Sequence, residues 1–559
     1  MSSTNHYPVL IIGGGPVGLM LSALLSRESV KSLLVERNTH TTDHPQAHVV
    51  NLRTMELFQQ LGIADGVYAE ALDFHWASSV RWVTSLLGEE FACIGTGPTD
   101  EEIVKLGQAS PAIPASCAQD KVEPLLREKA EAGIGEVRFA TELLSFEASE
   151  AGVTAVLRAS DGEQTVTADW LVGCDGAGSR VRAQQGIEMK GLGALAHIVG
   201  IYFHADLRER LAKQAAILYF TIDEHDPGIM IAMDGGTRWV FHASWDEQRQ
   251  ALEDFDEARC TEILQRAIGD EVDVDIRSVK PWTMSAQVAE RYRNGRVLLA
   301  GDAAHRFPPT GGFGLNSGVQ DAHNLAWKLA AVIQGHAGEA LLDSYESERK
   351  PVAEINCDFS ARNAQGIGEV NGPGAVAKAQ QLASGEYSFA DIAEQIQAVA
   401  NRERAHFGAI GLDLGFCYEE GALLPDGTEP PHRDNIELQY VPNARPGSRA
   451  PHCMVTVNGQ LLSTLALFEG NLTLLVDGQT DTWRAAVDAG DYPIRVFCCA
   501  EDIQDAEGQL AALYGIHGGA VLVRPDGHVA WRSPGPVADP AIVLSDIGSK
   551  ILCQPVEEV

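Results

Sequence analysis

A four-residue apolar run, Val9 to Ile12, ends in GGGPVG, where Gly13, Gly15 and Gly18 fall in GxGxxG register. Few features restrict a fold as tightly. So short an apolar run reads as a buried strand. A helix-like stretch comes next with Val17, Leu21, Leu24 and Leu25 on one face, and a second strand, Ser32 to Val35, ends at Glu36. The spacing predicts a βαβ unit whose glycines let backbone N–H groups approach a pyrophosphate at the positive end of the helix. Glu36 then stands where a ribose-binding carboxylate belongs. A chance glycine turn beside a surface Glu would lack this strand, helix and acid together. The unit does not by itself separate NAD from FAD.

The chain after Glu36 separates them. It runs on as RNTHTTDHPQAHVVN, a polar loop, before a helix expected over Arg53 to Leu61. Long loops beside a nucleotide site are usually functional, and FAD, longer than NAD by its ribityl-flavin end, needs extra chain to wrap it. His40, His44 and His48 fall at i, i+4 and i+8 in this loop, but Pro45 interrupts a helix there. They read as polar loop residues, and no metal site is expected.

Two later junctions repeat the strand-to-glycine pattern. In DWLVGCDGAGSRVR the apolar Trp170 to Val172 runs into Asp175-Gly176, then Ser179, Arg180 and Arg182. In RVLLAGDAAHRFPPTGGFGLN the strand ends at Asp302, and Pro308, Pro309, Gly311, Gly312 and Gly314 precede a helix expected from near Asn316 to Gly335. The prolines fix φ and stiffen a wall. The glycines admit close backbone approach, and the helix N-terminus offers positive dipole.

In order, GxGxxG, DGxxSxVR and GDAAHxxPPxxGxGxN resemble the single-component flavoprotein aromatic hydroxylases, among them phenol, p-hydroxybenzoate and chlorophenol hydroxylases. The resemblance covers residues 7 to about 365. It implies an FAD enzyme that uses NAD(P)H and O2 to hydroxylate a phenolic or other electron-rich aromatic compound through a flavin hydroperoxide. It assigns FAD contacts to Gly13, Gly15, Pro16, Gly18, Glu36, Arg37, Arg53, Gln119, Asp175, Asp302, Pro309, Gly312, Gly314, Leu315 and Asn316. Pro309, Gly314 and Leu315 would border the reacting edge of the flavin. Gln46 stands where many members have a further Arg, and His305 is read as part of the turn. Arg180 is open to two readings, a local salt bridge or reception of the nicotinamide cofactor. A flavin halogenase would carry WxWxIP, whereas Trp282 stands in PWTMS. A flavin reductase or oxidase and an inactive flavin-bearing interaction protein are the remaining alternatives.

Residues 189 to 282 alternate apolar and polar in short runs, which predicts an antiparallel sheet over the flavin. Tyr219, Met230, Trp239, Phe241 and His242 are its candidate substrate residues by type, although alternate residues face away. The expected architecture is α/β (α+β taken whole). An FAD-binding domain spans 1–75, 106–188 and 283–365; a substrate sheet spans 76–105 and 189–282; a helical and loop connector spans 366–445. Residues 446–559 resemble the thioredoxin-like C-terminal domain of phenol hydroxylases. They lack CxxC, so packing or homodimerisation is the expected role rather than redox chemistry.

Composition limits partners and compartment. Acidic residues outnumber basic ones 77 to 42, a net charge of −35, which disfavours nucleic acid and an anionic membrane surface. The N-terminal stretch lacks a basic n-region and a signal-length apolar run, and no window approaches the apolar length of a membrane span. Ten cysteines lack framework spacing, only Cys498 and Cys499 being close. A reducing, cytoplasmic setting is expected.

Overall fold

The glycine-rich turn closes a strand as the spacing predicts. In the computed structural model, which describes residues 5–246, 250–490 and 493–554, strand Asn5–Ile12 leads into helix Pro16–Arg27 and returns as Ser32–Val35. The outermost residues of the first and last expected domains, 1–4 and 555–559, lie outside the described residues, as do 247–249 and 491–492. Asn5–Ile12 is central in a parallel sheet ordered Val297–Leu299, Gly162–Gly173, Asn5–Ile12, Ser32–Val35, Glu136–Arg138. Ser32–Val35 and Val297–Leu299 read as almost wholly apolar runs because both faces are covered; every residue of each is buried. The carboxyl ends of Asn5–Ile12 and Gly162–Gly173 lie side by side and open the crevice where such sheets take ligands.

A second sheet is ordered His305–Arg306, Asp275–Ala289, Met189–His204, Arg238–Trp245, Gly228–Ala232, Leu218–Thr221, Ser79–Val83, Glu90–Gly95. All its pairs are antiparallel except Leu218–Thr221 with Ser79–Val83. One face buries Tyr219, Met230, Trp239 and Phe241 with Trp76 and Trp82 under helix Glu257–Ile268. The same cluster takes in Ile367, Val370, Ala375, Ile392, Ile396, Val399 and Ala400. Much of the stretch expected to be a connector is therefore the cover of this face, its helix Phe389–Arg402 burying Ile392, Ile396, Val399 and Ala400 at helical spacing. The other face packs Tyr202, Ile231, Met233 and Val240 against Ala118, one residue before helix Gln119–Glu131 of the first layer.

The last unit has a four-stranded sheet ordered Ile494–Cys498, Leu472–Val476, Ala520–Val523, Val529–Ser533, with helices Thr480–Asp488 and Pro540–Ile551, a thioredoxin-like arrangement. Buried, mutually paired charged groups dock it. Glu348, on helix Asp343–Ile367, accepts from Arg524 (2.7 and 2.8 Å), Lys328 (2.7 Å), Asn324 (2.6 Å) and the Ala422 N–H (2.8 Å). Arg449 pairs with Glu56 on helix Leu52–Leu61. Cys499 is pushed up to about 12, mainly by burial, and burial raises Cys498 as well; neither is a reactive thiolate.

Candidate active site

Gly13 adopts φ +112°, and a Cβ there would stand 2.3 Å from the Cys174 carbonyl oxygen. A Cβ on Gly18 would meet the Gly13 carbonyl oxygen at 2.0 Å. Backbone packing demands these two glycines. At Gly15 nothing of the chain lies within 4 Å of a Cβ, so its backbone faces open crevice. Pro16 occupies the first helical turn, where its missing N–H costs nothing, and the helix turns its positive end to the same crevice.

A second helix does likewise. Gly311 and Gly312 have φ of +112° and +69°, and a Cβ on Gly312 would press within 2.9 Å of Val49. Left-handed Gly312 caps helix Phe313–Ile333, which therefore begins three residues before the expected start at Asn316. Gly314, in its first turn, has nothing within 4 Å of a Cβ. The two helix N-termini are knit together, since a Cβ on Gly318 would lie 2.5 Å from Val17 Cγ2 and 3.1 Å from Gly301 Cα. Gly15 and Gly314 thus open on one crevice, with Asp302 beside Gly301. Asp302 stays reachable by solvent, and its carboxylate takes no hydrogen bond among the described residues. Surrounding protein raises its carboxyl above the usual value, while His305 and Arg306 pull it down. An unspent carboxylate in such a cleft suits a polyol hydroxyl.

The other expected contacts divide. Glu36 accepts from the Gly14 N–H at 2.7 Å and from Asn38 at 2.8 and 2.6 Å, which fixes it at the strand end. Arg37 is exposed. Gln119 opens its helix, its N–H on the Ala47 carbonyl at 2.8 Å and its amide nitrogen on Glu123 at 2.6 Å. Pro309 is exposed and Leu315 is buried at 8%. Three side chains are spent on the chain itself. Arg53 donates to Glu56 at 2.8 Å and to the Asp526 carbonyl at 2.7 Å. Asp175 accepts from Ser179 Oγ (2.5 Å) and the N–H groups of Arg180 (2.7 Å) and Val181 (3.1 Å), capping helix Arg180–Gln184. Asn316 accepts from the Asn51 N–H at 3.0 Å and donates to the Val49 and Gly312 carbonyls at 2.9 and 2.6 Å. These three shape the crevice rather than offer it a side chain. Arg180 bridges Glu142 at 2.6 Å, the first of its two readings. His305 is fully buried, 2.8 Å from Asp321 and stacked on Phe307.

Four of the five candidate substrate residues need correcting. Tyr219, Met230, Trp239 and Phe241 are each 0% exposed on the sheet face turned away from the crevice. Strand alternation leaves only His242 on the near face, with Tyr202 and Trp282, which sequence reasoning passed over. Alternation was legible, but which face meets the nucleotide layer is fixed by distant chain. His44 and His48 of the loop also reach this region, His44 through Ser278 at 2.7 Å and His48 through Ser116 at 3.3 Å. Among the described residues no three His, Cys, Asp or Glu are grouped to hold a metal, and no helix is long and apolar enough to cross a membrane.

The residues present fit FAD: two open glycines, two helix N-termini and one unpartnered carboxylate share a crevice. Comparisons agree. Residues 6–360 match the family model of the FAD binding domain, and residues 443–555 that of the aromatic-ring hydroxylase C-terminal domain. The chain is similar to a putative polyketide hydroxylase of Streptomyces coelicolor, 37% identical over 99% of this chain and 97% of that one. It is also similar to 2,4-dichlorophenol 6-monooxygenase of Delftia acidovorans, at 31% over 94% of each. Among solved structures, the flavin-dependent monooxygenase PieE in complex with FAD and substrate superposes with a TM-score of 0.88 at 36% identity, covering 98% of this chain and 99% of that one.

Proposed function

Because the chain belongs to the family of FAD-dependent aromatic-ring hydroxylases, we propose that NADH or NADPH reduces its flavin and that its substrate is a phenol. The names of its relatives favour a fused-ring phenol of the polyketide kind over a single ring. The enzyme is a flavoprotein monooxygenase acting on aromatic compounds; reductant, substrate and a cytoplasmic site of action are the proposal.

One observation carries it. Asp302 lies unpartnered in the crevice that Gly15 and Gly314 share, where a ribityl chain would run from pyrophosphate to ring. Gly13, Gly15 and the helix after Pro16 would hold the pyrophosphate of FAD, Glu36 its ribose, and Asp302 its ribityl chain. The N-terminal N–H groups of helix Phe313–Ile333 would favour negative charge on a flavin held in the crevice. Bound FAD supplies the activation of dioxygen and the transfer of one oxygen atom. The chain contributes orientation, a wall stiffened by Pro308 and Pro309, and a sheet that shuts water out.

With a single dinucleotide-binding unit, the nicotinamide cofactor docks transiently. The test is NADH and NADPH oxidation by the FAD-loaded protein, with and without a panel of one- to four-ring phenols, scored for hydroxylated product. Phenol-stimulated oxidation with product is expected. Oxidation that no phenol stimulates, with peroxide as the only product, would overturn the phenolic reading.

A further inference from the structure

Gly200 sits in the middle of strand Met189–His204, paired with His242 on one side and Lys280 on the other. Its φ is not in the left-handed region, so conformation does not demand glycine. A mid-strand glycine leaves its sheet face bare at one position, and two rings border that position at ordinary contact distance. A Cβ on Gly200 would stand 3.5 Å from His44 Nε2 and 3.6 Å from His242 Cδ2. One imidazole comes from the loop after Glu36 and the other from the sheet, and they converge over the missing side chain.

Their nitrogens are largely unspent. His44 Nδ1 is engaged by Ser278 Oγ at 2.7 Å, its ring set edge-on to Tyr202, which leaves Nε2 without a partner. Neither nitrogen of His242 has a hydrogen-bond partner among the described residues; its ring lies 5.3 Å from that of Trp282. His48 stands close enough to act on His242. Next in the chain is Val49, which packs on Gly312 and accepts from Asn316. The two rings therefore sit over the flavin cradle on the sheet face turned toward it.

We propose that His44 and His242 are the hydroxyl-receiving end of the substrate pocket, accepting a hydrogen bond from the phenolic O–H and orienting the ring for hydroxylation. This rests on the phenolic reading above. The O–H bond stays intact, and its hydrogen bond to an imidazole nitrogen draws electron density onto the oxygen and so toward the ortho and para carbons. Acceptance needs neutral rings. Burial lowers His242 to about 3, helped by His44 and His48. Burial lowers His44 to about 4, with Lys280 pushing the same way and Asp43 opposing. Both rings are neutral from about pH 5.5 to 8, and the pair's contribution to binding is flat across that range.

The probe is 4-nitrophenol, titrated into FAD-loaded enzyme and followed by the visible flavin and phenol bands at pH 6 and pH 8. We expect His242→Leu and His44→Leu each to weaken probe binding at least tenfold, about 1.4 kcal/mol, while the Kd for FAD stays within about twofold. His242→Asn, which keeps a hydrogen-bond acceptor in place of the ring nitrogen, should recover most of the lost binding. It also serves if the leucine variant folds poorly, retention of FAD reporting the fold. Equal probe affinity in the wild type and both leucine variants overturns the pair while sparing the phenolic reading, as does His242→Asn binding no better than His242→Leu. A wild type that binds neither this probe nor any phenol of the one- to four-ring panel at millimolar concentration overturns both.

Discussion

The side-chain nitrogen of Asn316 donates to the Val49 carbonyl at 2.9 Å, while its oxygen accepts the Asn51 N–H at 3.0 Å. One fully buried amide thus clamps the first turn of helix Phe313–Ile333 to the strand Val49–Val50. Asn316→Ala would leave the Val49 and Gly312 carbonyls and the Asn51 N–H unsatisfied, at about 1–3 kcal/mol for each group that water cannot reach. We predict a lower Tm and weaker FAD retention together. A Tm drop with FAD Kd unchanged would separate the clamp from the cofactor crevice.

Asp302 makes the opposite case, a carboxylate with no hydrogen-bond partner among the described residues. Asp302→Ala should lose on the order of 1–3 kcal/mol of FAD affinity, the worth of a hydrogen bond to a charged acceptor, with little change in Tm of the FAD-free protein. Equilibrium dialysis of FAD measures it. An FAD Kd within about twofold of the wild type would show that Asp302 faces something else.

Stability should depend on pH through Asp413 of helix Ile410–Leu414. Burial raises its carboxyl to about 7, against a hydrogen bond from Asn51 Nδ2 at 2.7 Å that lowers it and with Glu56 adding to the rise. A raised carboxyl means that the folded chain holds a proton the unfolded chain has lost, so stability falls as pH rises from about 4 to about 7. Asp413→Asn keeps the acceptor for Asn51 and removes the titration. The variant should melt above the wild type at pH 8 and nearly with it at pH 4, as thermal unfolding at both values would read. A gap independent of pH would rule out this linkage.

Glu348 carries the docking of the last unit. Its carboxylate, held down to about 2 against burial by Arg524 and Lys328, faces five donors. Glu348→Gln leaves two cations buried and poorly compensated, which costs roughly 3–5 kcal/mol. Limited proteolysis should then cut between residues 415 and 450 before the FAD-binding layers. Unchanged proteolysis and Tm would mean that other contacts hold the unit.

The parallel layer was legible in the sequence because it is written locally. Ser32–Val35 is a short apolar run bounded by turn residues, and it falls where the run predicts it. The flavin helix starts earlier than expected because Asn316 looks like a cap, whereas the positive φ of Gly312 does the capping. Arg53, Asp175 and Asn316 have the residue types of ligand contacts, yet partners far away in the chain claim Arg53 and Asn316, and the next turn claims Asp175. The substrate side was the least legible. Tyr219 and Trp239 are aromatic and alternate correctly, but a covering helix and the stretch after Ile367 decide that their face looks away. A signal was present in the histidines of the loop, one of which reaches the near face through Ser278.

At the centre stands the claim that the crevice shared by Gly15 and Gly314 inserts one atom of dioxygen into a phenol at the expense of NAD(P)H. The direct measurement is turnover of a stimulating phenol under isotopically heavy dioxygen, with mass spectrometry of the product and parallel assay of NAD(P)H consumed. One heavy oxygen atom is predicted in each hydroxylated product, on a ring carbon ortho or para to the phenolic hydroxyl, with one NAD(P)H oxidised for each. Heavy oxygen found only in peroxide or water, or a product oxygen that comes from solvent, would contradict it.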